Sequence, residues 1–132
     1  MADPAPAASP FDDLNEAQLA AATYGETGPD GPRTGPLLII AGAGTGKTLT
    51  LAHRVAHLVL AGAAPERLLL LTFSRRAARE MTARARRIVA RALAAAHGGR
   101  GQGEIRLPWA GTFHGIANRL LREYAPNLNE IL

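Results

Sequence analysis

The chain has 132 residues, 47% of them apolar, and a formal net charge of +4. That balance excludes a disordered chain and suits one domain that buries about two-thirds of its unfolded surface. Without cysteine, disulfides and thiolate metal centres are excluded as well. A pI of about 10.6 leans toward a polyanionic partner. The opening "MADPAPAASP" has neither the charged nor the apolar region of a secretory signal, and "LLII" and "LLLL" are too short to span a bilayer. The expectation is a soluble cytoplasmic protein with no membrane partner.

Residues 1–10 are rich in Ala and Pro and predict a flexible tail, with a domain over 11–132. A helix is expected near Leu14–Thr23, where Asn15 can cap and Gln18 completes a capping box. The stretch from Gly25 to Pro36 is dense in breakers and predicts a loop. Then "LLII" predicts a buried strand, "AGAGTG" a turn, and Lys47 to Ala61 a helix stopped by Gly62 and Pro65. "RLLLLTF" predicts a second apolar strand, followed by a helix over Arg75 to Ala96. A third strand in "IRLPWAGTF" is limited to an edge or a bulge by Pro108, and a last helix ends before Pro126. Apolar strands alternating with helices imply an α/β fold, a parallel sheet covered by helices on both faces.

The run "AGAGTGKT", Ala41 to Thr48, holds the only lysine of the chain. It leaves the carboxyl end of an expected strand, where ligands bind in open α/β sheets. Gly42, Gly44 and Gly46, with Ala43 and Thr45 between them, let successive backbone N–H groups turn toward one anion. The following helix adds its positive N-terminal end. Lys47 then bridges the outer phosphates of a nucleotide, and the Thr48 hydroxyl is placed to hold Mg²⁺. The pattern is that of a P-loop, with Ala41 in place of the first glycine.

Both later strands end in Thr-Phe, at Thr72-Phe73 and Thr112-Phe113, on the same sheet edge as that loop. Two readings stand side by side. The phenylalanines stack on bases while Thr or backbone N–H groups hold phosphate, or the threonines cap helices and the rings fill core. On the long helix, arginines 75, 76, 79, 84, 86, 87 and 91 fall within an arc of about 180°. Ala77, Met81, Ala85, Ile88 and Ala92 share the adjacent arc, and Leu93 is the exception. Only Arg75 and Arg76 lie near the rim. His53 and His57 are spaced like a metal pair, but Arg54 stands where a metalloprotease helix needs Glu, so both are expected at the surface.

Taken in order, these residues resemble the N-terminal part of the UvrD/Rep-type superfamily 1 DNA helicases. "LNEAQLAA" is similar to that family's Q motif, "AGAGTGKT" to its Walker A, "LLLLTFSRRAAREMTAR" to motif Ia and "GTFHGIANRLLR" to motif Ib. The resemblance implies a RecA-like motor domain that uses ATP and Mg²⁺ to move along single-stranded DNA, in a cytoplasmic, nucleoid-associated setting. Gln18 would recognise adenine, and Lys47 and Thr48 would serve the triphosphate and the metal. Thr72, Phe73, Thr112, Phe113 and His114, with Ser74 and Arg75 beside them, would line the single-strand path. Three positions depart from the family's usual residues: Ser74-Arg75-Arg76 after the motif Ia phenylalanine, Leu49 after the Walker threonine, and Gly115 after the motif Ib histidine.

Hydrolysis by such a site needs an acidic pair at the end of another strand. Asp12-Asp13, Glu80 and Glu130 are not so placed, since none follows an apolar strand. In the family those acids, the arginine finger and the second motor domain come later. The expectation is therefore a motor domain that stops before Walker B and binds without cleaving, alongside the alternative of a non-catalytic nucleotide- or nucleic-acid-binding module.

Overall fold

The computed structural model describes residues 9–42, 46–96 and 105–131. The first described element is a 3-10 turn over Pro10–Asp13, capped by Ser9 through a reciprocal pair of bonds with Phe11 and Asp12, and Pro10 is buried. The expected tail is thus structured at Ser9 and Pro10, while residues 1–8 lie outside the described residues. Helix α1, Glu16–Ala22, follows. Asn15 Oδ1 accepts from the Gln18 N–H at 2.8 Å, and Gln18 Oε1 accepts from the Asn15 N–H at 3.0 Å. The capping box therefore forms as its local chemistry dictates.

The breaker-rich stretch is a hairpin rather than a plain loop. Strands β1 (Glu26–Gly28) and β2 (Gly31–Arg33) pair antiparallel around Pro29-Asp30, with Gly31 at φ +108°. Pro, Asp and Gly each satisfy one demand of a tight turn, so the same residues that exclude a helix close a hairpin.

Residues 34–42 have no regular secondary structure, and Leu38 and Ile40 are exposed at 81% and 86%. The buried strand expected at "LLII" is not formed. A strand exists only where another offers a ladder of hydrogen bonds, and none among the described residues pairs with this one.

Helix α2 spans Lys47–Leu60. It ends where Gly62 turns left-handed at φ +109° and the Ala63 N–H reaches back to the Leu58 carbonyl at 2.9 Å. A short strand β3 (Leu70–Thr72), helix α3 (Arg75–Ala96) and strand β4 (Ala110–Thr112) complete a parallel crossover. Leu70, Leu71 and Thr72 lie opposite Ala110, Gly111 and Thr112. All three β3 residues are only half-buried, not sealed on both faces as expected.

Helix α4, Phe113–Ile131, runs through Pro126 instead of stopping before it. Proline there removes the bond to the Arg122 carbonyl. Arg122 is exposed, so water can take that acceptor and the helix continues.

The core lies between α2 and α3. Ala52 and Ala56 meet Met81, Ala85, Ile88 and Val89, with Leu107 closing the end near the sheet. Alanines at the contact let the two helix backbones approach closely. Leu93, the exception to the helical pattern, packs against this cluster together with Phe11. The architecture is α/β, with a small parallel sheet between α3 and α4 and with α1 outside α2.

Candidate nucleotide and nucleic-acid site

Gly46 begins α2 in the left-handed region at φ +81° and has no side chain with which to cap the helix. No side chain caps the N–H groups of the first turn, which stand beside the exposed Lys47 and Thr48. Thr50 is buried and turns its hydroxyl back to donate to the Gly46 carbonyl at 3.0 Å, which fixes the turn from within. A Cβ added at Gly46 would stand 2.7 Å from Gln18 Nε2. The two expected nucleotide contacts, Gln18 and Lys47, are therefore neighbours. They line one cavity of about 180 Å³ with Asn15, Ile40, Ala41 and Thr50. Gly42 is described and exposed. Ala43, Gly44 and Thr45, the middle of the glycine-rich run, lie outside the described residues.

A second cluster gathers at the carboxyl ends of β3 and β4. Their parallel pairing sets Thr72 opposite Thr112 and brings the Phe73 and Phe113 rings to 5.1 Å, tilted by 35°. Phe73 is 95% exposed and Phe113 46% exposed, so neither fills core. The Thr112 hydroxyl accepts from the Gly115 N–H at 3.0 Å and caps α4. On α3 the cap is Ser74, whose hydroxyl accepts from the Ala77 N–H at 3.1 Å, while Thr72 donates to the Ser74 carbonyl at 2.9 Å. Gly115 leaves little room, since a Cβ there would lie 3.0 Å from Thr112 Oγ1. His114 is exposed on the first turn of α4.

Two arginines stand near Thr112, one of them the expected Arg75. Arg75 and Arg79 line a cavity of about 330 Å³ with Gly111 and Thr112. Arg76 instead pairs with Glu80 at 3.1 Å on exposed surface. Arg79 lies one turn after Arg75 on the same face, and the helical period alone did not single it out.

The histidines also differ. His57 is half-buried, and its pKa lies below the ordinary 6.5 because burial disfavours its charged form and Arg54 adds like charge. His53 is only 2% exposed rather than a surface residue. Its Nδ1 lies 2.8 Å from the Leu49 carbonyl and its Nε2 lies 2.9 Å from the Pro10 carbonyl. The Phe11 ring stands edge-on to it at 5.4 Å. The N-terminal turn covers this face of α2, a contact across 43 residues that helical periodicity does not report.

Comparison with known proteins identifies the chain's relatives. The model of the UvrD/REP helicase N-terminal domain matches residues 14–132. The chain is 45% identical over 89 residues to the ATP-dependent DNA helicase PcrA of Leuconostoc citreum, covering 67% of this chain and 10% of that protein. It is 46% identical over 91 residues to the ATP-dependent DNA helicase UvrD2 of Mycobacterium tuberculosis, covering 68% and 12%. With DNA helicase II of Escherichia coli it shares 37% identity over 120 residues, 90% of this chain and 14% of that protein. The aligned region is thus between a tenth and a seventh of each relative. The match of that family model to residues 14–132 makes this chain a member of the UvrD/REP helicase N-terminal domain family.

Proposed function

We propose that this chain is the part of a first motor domain that holds ATP and single-stranded DNA, in a protein whose whole length is an ATP-dependent DNA translocase and helicase. The observation that carries the reading is the pair of exposed rings, Phe73 and Phe113, held at the ends of two parallel strands by the register of Thr72 and Thr112. An exposed aromatic pair in water has no folding purpose of comparable size, whereas a base has a π-face for it at any sequence. Arg75 and Arg79, which line a cavity with Thr112, supply positive charge for the phosphodiester backbone.

The nucleotide end fits the same reading. The N–H groups at the start of α2, which no side chain caps, and the exposed Lys47 suit a triphosphate, and the Thr48 hydroxyl suits its Mg²⁺. Gln18 is placed for the base, with Oε1 engaged in the capping box and Nε2 turned toward Gly46. The bound metal would neutralise phosphate charge. This chain's residues bind and orient, and none of its acidic residues follows an apolar strand as a hydrolytic pair must. Asp13 faces Arg91 and Glu80 faces Arg76.

The reading is tested by titrating the chain with Mg-ATP and by measuring phosphate release with and without a short oligothymidylate. Binding that is lost in Lys47→Ala, without DNA-stimulated release, is the expected result. ATP binding indifferent to Lys47→Ala, or turnover above background that the same substitution abolishes, would overturn it.

A further inference from the structure

Arg54 lies seven residues after Lys47 on α2, about 10 Å along the helix axis, and takes no part in either cluster. Its guanidinium nevertheless gathers four acceptors from outside its own helix. Nη1 donates to the carbonyls of Ala21 at 3.2 Å, Ala22 at 3.4 Å and Tyr24 at 2.9 Å. Nη2 donates to Thr34 Oγ1 at 3.1 Å. Its Cζ lies 5.9 Å from the centre of the Tyr24 ring.

The carbonyls of Ala21 and Ala22 belong to the last turn of α1, where no intrahelical N–H remains to serve them. A cation at that end also opposes the helix dipole. Arg54 is therefore the C-terminal cap of α1, supplied from another helix. Thr34 begins the irregular stretch that leads to Ala41 and the glycine-rich run. One planar fork thus joins the helix that carries Asn15 and Gln18, the segment entering the loop, and the helix that carries Lys47. Lysine, with one rotatable ammonium, cannot span the same four acceptors.

We infer that Arg54 is a positioning residue for the base subsite: by tying the end of α1 to α2, it sets where the Gln18 amide stands relative to Gly46 and Lys47. The space there is narrow, since a single added Cβ on Gly46 would come within 2.7 Å of Gln18 Nε2. A small rotation of α1 moves Gln18 and leaves the start of α2 in place. The loss of Arg54 should therefore act on recognition of the base and spare recognition of the phosphates. This inference rests on the nucleotide reading above.

The test compares binding of Mg-ATP with binding of inorganic tripolyphosphate, by calorimetric titration of the chain. In Arg54→Ala, affinity for ATP falls about tenfold while affinity for tripolyphosphate moves by less than about twofold. Arg54→Lys, which keeps the charge and most of the stem, gives an intermediate ratio and serves as the folded variant if Arg54→Ala aggregates. In a Gln18→Ala background the Arg54→Ala change costs ATP less than about twofold, because both substitutions remove one coupled contact. General destabilisation would lower both ligands together and leave their ratio unchanged. An unchanged ratio in Arg54→Ala, or in Arg54→Lys where only that variant folds, overturns the positioning role. A wild-type chain that binds neither ligand overturns the nucleotide reading itself.

Discussion

Replacing Phe73 by alanine separates a binding ring from a structural one. Because Phe73 is 95% exposed, the burial it loses on truncation is about a twentieth of a side chain of about 200 Å², worth about 0.3 kcal/mol. Its contact with Phe113 at 5.1 Å adds about 0.5 kcal/mol, at the low end for an aromatic pair in water. The fold should thus lose less than about 1 kcal/mol, a shift in Tm of at most about 4 °C. A base stacked on the ring is worth about 1–3 kcal/mol, so affinity for single-stranded DNA should fall between about fivefold and about 150-fold. Fluorescence anisotropy of a labelled oligothymidylate at low salt, beside a thermal melt, reads both quantities. Because the ring carries no charge, the salt dependence of binding should keep its slope. Unchanged affinity would refute the stacking role. A fall in affinity matched by a large fall in Tm would show that the ring supports the fold instead.

Two further outcomes follow from local geometry. Gly46→Ala forces alanine to φ +81°, costing about 1–2 kcal/mol, and displaces the Gln18 amide. Gly35→Ala, with nothing within 4 Å of the added Cβ, should change stability by less than about 0.5 kcal/mol, and equal denaturant midpoints for the two variants would contradict the argument. His57 has a folded pKa below its ordinary 6.5, through burial first and Arg54 second, so on acidification the unfolded chain takes up the proton before the folded one. Stability should be unaffected above that ordinary value and fall as pH drops from it through the folded pKa. Subtracting the profile of His57→Gln from that of the wild type isolates this contribution, and a difference that is flat or grows toward acid would contradict the assignment.

The elements that were legible in the sequence are those whose chemistry closes within one helical turn. Asn15 and Gln18 satisfy each other three residues apart, and Gly62 ends α2 where the helical pattern stops. The bounds of α3 follow from its own period, although its cap is Ser74 and not the Thr72 that was the candidate. Pro126 misled because proline's penalty depends on whether water reaches the carbonyl it orphans. "LLII" misled because apolar composition specifies a willingness to be buried in a sheet, while the sheet itself must come from another segment.

Sequence alone determined the lone lysine behind a glycine-rich run, the two Thr-Phe pairs and the order of motifs that marks the family. The two Thr-Phe pairs were expected on one edge, and only the tertiary structure decided that their rings are in contact and exposed there. It likewise buried His53 under Pro10 and Phe11, set Arg79 beside Arg75 in one cavity with Thr112, and gave Arg54 four acceptors on two other segments. The physical reason is one of range. Caps, turns and helical period depend on neighbours within about four residues, whereas pairing, burial and long side-chain bonds depend on which distant segments the closing chain brings together.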